Sequence, residues 1–251
     1  MLFCTKLRDI SIKKIMTSVP GFPPKGFGTF INNRHSYTAK ECDCTLCLYY
    51  KRKKCSLLKC KCIEERIQAA AVGYMEFMEH TFEPIKNKAF QERLQIYLKE
   101  REYKKMLNKR NSTAPYRTLL HRKLFLQAAQ KSLVSDNARL AALYLLTADK
   151  KLWTKACHAI TDRHIDFSAV VIGDIGIDCY TLFMSAKDLS TGTKHITISD
   201  LADTEIISQK MFEIICNAMA IRRYGMKAIE IAEKEKCSYE PVIFKGESHG
   251  R

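Results

Sequence analysis

Residues 137–146 read NARLAALYLL, the most apolar helical stretch of the chain. Leu, Ala and Tyr side chains occupy almost every side of a helix drawn through these residues, which leaves no broad polar face for solvent. A helix of this kind is stable only when other elements surround it. The stretch therefore predicts a central buried helix, and we expect a mainly α protein built around it.

Further helices are predicted on both sides of this stretch, because apolar residues recur there three and four positions apart. They span residues 63–82, 85–109, 119–132, 149–160, 177–189, 208–224 and 226–236. Thr147 or Asp149 is expected to cap the helix at 149, and Gly192 and Gly225 suit the C-terminal ends of two others. The fold class is thus a helical domain over 63–251, with its packed core at about 118–236.

Three details of this prediction concern shorter stretches. The helix over 85–109 has a narrow apolar seam at Leu94, Tyr97 and Leu98, which Arg101 and Tyr103 extend. Residues 166–180 contain a short apolar run without a partner strand, so we expect a buried connector there. Residues 196–198 are expected to be extended, with Ser199 or Asp200 capping a turn of helix after them.

Charge is distributed unevenly along the chain. The 42 Lys and Arg exceed the 27 Asp and Glu by 15. Residues 1–62 carry +10 and residues 63–131 carry +6, whereas residues 132–251 carry −1. A basic front and a neutral back predict an anion-binding N-terminal part, and nucleic-acid phosphates are the commonest large anions in a cell. In 63–131 the alternative is that Lys residues only solvate helix surfaces.

The N-terminal sequence MLFCTKLRDISIKKIM has scattered charges and no apolar core of a signal peptide. The longest apolar stretch, AAAVGYM, is too short to span a bilayer. We therefore expect a cytoplasmic protein without a membrane partner. Thiols stay reduced in that compartment, and an odd total of eleven Cys argues against a complete disulfide framework.

Six of the eleven cysteines fall within 21 residues, in the pattern C-x-C-x2-C-x7-C-x4-C-x-C. They are Cys42, Cys44, Cys47, Cys55, Cys60 and Cys62. Reduced thiolates at this density predict a small irregular zinc module over 38–62, holding one zinc ion or two that share bridging thiolates. With one zinc, two thiols stay free or take a second metal with His35. An iron–sulfur cluster in a redox protein is a minor alternative.

Aromatic and basic residues lie inside and beside this cluster. They are Tyr49, Tyr50, Lys51, Arg52, Lys53, Lys54, Lys59 and Lys61. Aromatic rings that stack on bases, next to cations that contact phosphates, are typical of a surface that binds DNA or RNA. The alternative is that the cations only offset the negative charge of the thiolates.

Catalytic motifs are absent from the sequence: it contains no HExxH, GxSxG, Walker loop or GxGxxG. His158 and His164 flank a turn and are expected to pack or cap. Acidic residues at 162, 166, 174 and 178 could hold Mg²⁺ in a nuclease, but Asp is also the usual residue of turns and caps. We therefore expect a protein that is not an enzyme, with no catalytic residue.

Two resemblances add context. CSLLKCKC, residues 55–62, resembles the C-x4-C-x-C half of tesmin-type CXC domains, which bind DNA through a zinc cluster. The stretches ALYLLTADKKLW, YTLFMSAKDLSTG and MFEIICNAMAIRRYG resemble an uncharacterised family from conjugative elements of Gram-positive gut bacteria. The second resemblance spans roughly 118–225 and implies a mobile-element protein.

Together these observations predict two parts: a basic N-terminal segment, 1–62, that binds nucleic acid, and the helical domain. The alternative function is an interaction module that inhibits a host nucleoprotein defence complex, in the manner of anti-CRISPR proteins. The role of the helical domain and the oligomeric state do not follow from the sequence.

Overall fold

A computed structural model of the chain describes residues 62–106, 115–130, 136–162 and 164–237. Within these ranges the protein is mainly helical and has no β-strand, only one isolated bridge between Ile160 and Ile165. The chain divides into two compact units, Met1–Phe77 and Met78–Arg251. The mainly α prediction is confirmed for the described ranges.

Ten α-helices lie in the described ranges. They are α1 (Ile63–Gln68), α2 (Tyr74–Phe82), α3 (Lys88–Met106), α4 (Leu119–Gln130), α5 (Asn137–Leu146), α6 (Lys150–Ala156), α7 (Ile177–Thr191), α8 (Ile198–Ala202), α9 (Gln209–Tyr224) and α10 (Met226–Cys237). Short 3-10 turns follow α6 at Cys157–Ala159 and precede α7 at Phe167–Ala169.

Helix α5 is the centre of the second unit, as its apolar sequence predicts. Asp136 caps it by accepting a hydrogen bond from the Arg139 N–H at 3.0 Å, and every residue from Arg139 to Leu146 is buried. Its most extensive contacts are with α7 and α9. Small side chains such as Ala141, Ala142 and Ala218 allow the three helices to approach closely.

Helices α7 and α9 run antiparallel to α5. Asn137 at the start of α5 lies against Gly225 at the end of α9. At the opposite end, Asp149 follows α5, and its carboxylate interacts electrostatically with the Cys179 thiol in the first turn of α7. In this arrangement both outer helices bury their apolar faces against the same central helix.

Helix α3 adds its apolar seam to the same core. Phe90 packs edge-on against Phe212 of α9, with ring centroids 5.4 Å apart. Leu94, Tyr97 and Leu98 are buried, as predicted, whereas Tyr103 is 63% exposed and lies outside the seam. The helix begins at Lys88, after the predicted 85, because the Asn87 side chain caps it by accepting from the Phe90 N–H at 2.9 Å.

The single helix predicted over 63–82 is wrong: the chain breaks it into α1 and α2. After α1 the N–H of Ala70 donates to Ile67 O at 2.9 Å, and that of Ala71 donates to Arg66 O at 2.7 Å. These two bonds form a Schellman motif with Ala70 in the left-handed region, at φ 49°. The Arg66–Glu76 ion pair then joins the two helices across the turn.

Three predicted helix caps are confirmed, whereas two shorter stretches differ from the prediction. Asp149, Gly192 and Gly225 take the capping positions that the sequence assigns to them. Residues 196–198 do not form an extended stretch before a later cap, because Thr197 itself caps α8 through a reciprocal capping box with Asp200. The connector over 166–180 is only partly buried, since Val171 is exposed.

Candidate metal centre and nucleic-acid interface

The predicted metal ligands lie almost entirely outside the described residues. Five of the six predicted ligands lie in residues 1–61, outside the described ranges: Cys42, Cys44, Cys47, Cys55 and Cys60. The predicted nucleic-acid contacts lie there as well: Tyr49, Tyr50, Lys51, Arg52, Lys53, Lys54, Lys59 and Lys61. The zinc module and its nucleic-acid contacts therefore stay predictions. His35, proposed beside a second metal, also lies in that part.

Cys62 is the one predicted ligand that the structure describes. It is half-buried and occupies the N-cap position of α1, where its carbonyl accepts from the Arg66 N–H at 3.1 Å. Arg66 is buried and donates to both Glu76 carboxylate oxygens, at 2.5 and 2.9 Å. The last cysteine of the pattern is thus attached to a helix that an ion pair holds in place.

The described histidines make local hydrogen bonds. His158 Nε2 lies 3.3 Å from Ala169 O, and His164 Nδ1 lies 3.0 Å from Thr161 Oγ1; both histidines are exposed. His195 Nδ1 lies 2.7 Å from Asp188 Oδ1. The same carboxylate accepts from the backbone N–H of His195 and of Ile196, both at 2.8 Å. Asp188 therefore closes the loop after α7.

His121 is buried and has both ring nitrogens engaged. Nδ1 accepts from the Arg117 backbone N–H at 3.0 Å, so Nε2 carries the proton and donates to Tyr144 O at 2.8 Å. Burial lowers the pKa of His121 to about 4, the Tyr144 carbonyl raises it, and the Arg117 charge lowers it further. This histidine is a neutral link between α4 and α5.

The acidic series near His164 does not form a metal site among the described residues. Asp166 caps the 3-10 turn at Phe167–Ala169 by accepting from the Ser168 N–H at 3.0 Å. No group of three His, Cys, Asp or Glu side chains in the described ranges could hold a metal ion. The alternative of turn and cap residues is confirmed for Asp166.

Three of the four cysteines after residue 150 differ in environment. Cys179 and Cys216 are buried, whereas Cys157 is exposed and its thiol lies 3.5 Å from Thr154 O. Burial raises the pKa of Cys179 to about 11, and the Asp149 carboxylate raises it as well. Burial also raises the pKa of Cys216. Both buried thiols stay protonated at neutral pH.

Arg93 has a structural role that the sequence analysis did not predict. Its buried guanidinium donates to the carbonyls of Leu201 at 2.8 Å and Asp203 at 2.9 Å, and also to Ile207 O. It lies over the Phe212 ring, 4.6 Å from the centroid. In the sequence Arg93 only precedes Leu94 of the apolar seam, and its carbonyl acceptors lie 108 to 114 residues away.

The charge of the described part is nearly balanced. These ranges hold 23 Lys and Arg against 22 Asp and Glu, so +14 of the formal net charge of +15 belongs to the rest of the chain. Ten of these charges lie in residues 1–61. The sequence that contains the cysteine cluster is therefore also the most basic sequence of the protein.

Comparison of the chain with protein-family models, curated proteins and solved structures finds no match. In the described residues, none of the helices has both the length and the apolar character that a membrane span requires.

Proposed function

We propose that this protein is a zinc-stabilised, non-enzymatic protein of a bacterial mobile element that binds DNA or RNA through residues 1–62. The observation that carries the proposal is the separation of charge from the helical core. The described residues carry only +1, whereas residues 1–61 carry +10. A net charge of this size attracts phosphate backbones and keeps them within reach of contact residues.

Zinc is the proposed structural ion of this part. Six cysteines within 21 residues supply more than the four thiolates that one tetrahedral zinc needs. Metal binding contributes on the order of 10 kcal/mol to a segment that has few large apolar groups of its own. We propose Cys42, Cys44, Cys47, Cys55, Cys60 and Cys62 as the ligands of one or two ions.

The proposed contact residues are tested by the salt dependence of binding. Each phosphate that a cation neutralises adds roughly 0.7 to 0.9 to the slope of log K against log salt. The change of Lys51, Arg52, Lys53 and Lys54 to Ala should therefore reduce this slope by about three. Fluorescence anisotropy of labelled single-stranded and double-stranded oligonucleotides, measured from low to high salt, gives the slope for the full chain.

A matched control removes the same charge from the helical part. Lys99, Lys123, Lys150 and Lys151 are exposed, and their change to Ala should leave the slope within about one of the wild type. Tyr49→Ala and Tyr50→Ala should weaken single-strand binding with little change in slope, because stacking releases no counterions. An unchanged slope in the first variant, with its zinc retained, would contradict the proposal and favour inhibition of a host defence complex.

A further inference from the structure

Helix α1 directly follows Cys62, the last cysteine of the pattern, and it is too short to be stable alone. It has six residues, Ile63–Gln68, whereas isolated helices of fewer than about 12 residues are marginal in water. Its stability must therefore come from contacts outside the helix. Among the described residues, the buried side chain of Ile67 and the ion pair of Arg66 with Glu76 provide such contacts.

The Arg66–Glu76 ion pair holds α1 against the turn that follows it. The guanidinium donates to both Glu76 carboxylate oxygens, at 2.5 and 2.9 Å, and to Ala71 O at 3.3 Å. The two side chains are only 8% and 14% exposed. A bidentate pair fixes both distance and orientation, because the planar fork of arginine matches the two oxygens of a carboxylate. Helix α1 is therefore held in one position relative to Glu76.

Cys62 depends on the position of α1 through the backbone. Its carbonyl accepts the first hydrogen bond of the helix, from the Arg66 N–H at 3.1 Å. The backbone of Arg66 thus holds Cys62, while the side chain of Arg66 holds Glu76. If α1 unwinds, this hydrogen bond is lost and the Cys62 backbone gains conformational freedom. A ligand residue with a backbone that is already ordered loses less entropy when it binds.

We infer that Arg66 and Glu76 are positioning residues for Cys62 as a zinc ligand. The inference rests on the proposed function, because Cys62 is a ligand only if the cysteine pattern binds zinc. Neither side chain is itself proposed as a ligand. The ion pair keeps α1 folded, and α1 limits the positions that the Cys62 backbone can adopt before the metal binds. Residues that support ligands in this way change metal affinity by about 10- to 100-fold.

The test measures the zinc affinity of the full chain under reducing conditions, by competition with a chromophoric chelator. Glu76→Gln keeps the size of the side chain and removes its charge, so the guanidinium loses its bidentate partner. The zinc dissociation constant should rise by about 10- to 100-fold. Glu76→Asp keeps the charge but shortens the side chain, and it should raise the constant by a smaller factor. This milder variant decides the question if circular dichroism shows that Glu76→Gln has not folded.

A double-mutant cycle with Cys62→Ser separates positioning from a general loss of stability. If the ion pair acts through Cys62, the Glu76 variants should have no further effect on zinc affinity once that thiol is absent. A purely structural role would instead raise the zinc dissociation constant by the same factor in both backgrounds.

Arg117→Gln is the matched control, because it breaks an ion pair in the second unit, to the Asp149 carboxylate at 3.2 Å. Its zinc dissociation constant should equal that of the wild type. Wild-type affinity in the folded Glu76 variants, equal factors in the two cysteine backgrounds, or an equal loss in the control would each overturn the inference and leave the zinc proposal standing. A wild-type chain that binds no zinc would overturn both.

Discussion

At the scale of single residues, His121 couples the stability of the protein to pH. Its Nδ1 already accepts a hydrogen bond from the Arg117 N–H, so a second proton on the ring would break that bond and place a charge in the core. The folded state therefore holds the neutral ring, and its pKa is lowered from 6.5 to about 4. The unfolded chain binds the proton more readily at every pH between these values.

We therefore expect the free energy of unfolding to decrease as the pH falls from 6.5 to 4, by about 3 kcal/mol from this residue. Above pH 6.5 the contribution is complete. The change of His121 to Gln should remove this part of the pH dependence, whatever its effect on stability at pH 7. Urea unfolding at a series of pH values measures the difference between the two slopes. Parallel profiles for the wild type and the His121 variant would contradict the prediction.

Residue roles were predictable from sequence where the chemistry is local. Asp149 before an apolar helix indicates a cap, and Gly192 after one indicates a left-handed end. Arg93 and His121 were not assigned, because the carbonyls to which they donate lie 23 to 114 residues away in the chain. Their roles depend on which helices meet, and single-sequence periodicity does not specify this.

At the scale of elements, the turn between α9 and α10 depends on Gly225. Its φ of 61° and ψ of −144° lie in a region that only glycine adopts readily. A Cβ at this position would lie 2.5 Å from Asn137 Oδ1, so the close packing of the α9 end on α5 also requires a missing side chain.

The change of Gly225 to Ala should therefore lower the free energy of unfolding by about 2 to 4 kcal/mol. Gly192→Ala is the matched control: Gly192 also has a positive φ, 79°, but a Cβ there meets nothing within 4 Å, so the cost should be about 1 kcal/mol. Adding Asn137→Ala to the Gly225 variant should restore the part of the lost free energy of unfolding that comes from the clash with the Asn137 side chain. Equal losses for the two glycine variants in urea unfolding would contradict this explanation.

Helix α5 was predicted at its observed bounds, because apolar side chains occupy almost every side of it. The break between α1 and α2 was missed for a physical reason. A Schellman turn usually has glycine at its left-handed position, and here Ala70 adopts that conformation. An alanine is not a helix-stop signal in a sequence. The Arg66–Glu76 pair that bridges the turn is not one either.

At the scale of the whole molecule, the proposed zinc module and the helical core should respond separately to metal removal. The core around α5 is apolar, and its buried thiols, Cys179 and Cys216, belong to separate helices. A chelator should therefore release one or two zinc ions and abolish salt-dependent binding, while most of the far-ultraviolet helical signal remains. Elemental analysis and circular dichroism of the same sample measure both.

Loss of all helical signal in one cooperative step on chelation would contradict this prediction. Less than half a zinc per chain, with intact thiols, would contradict the metal assignment itself. The helical class of the described residues followed from periodicity alone, whereas the proposed site rests on cysteine density and charge. Those patterns indicate which kinds of ligand the site binds, but they do not determine the positions of its side chains.

The reach of Arg93 has a consequence for how the chain folds as it is synthesised. Its carbonyl acceptors on Leu201 and Ile207 are 108 and 114 residues downstream. At ribosomal rates of about 5–20 residues per second, the guanidinium waits on the order of ten seconds for them. Until then the Arg93 guanidinium lacks the carbonyls that accept its hydrogen bonds in the folded protein. Water must solvate it instead, together with the apolar seam of α3. Vectorial synthesis thus delays closure of the core until α9 leaves the ribosome.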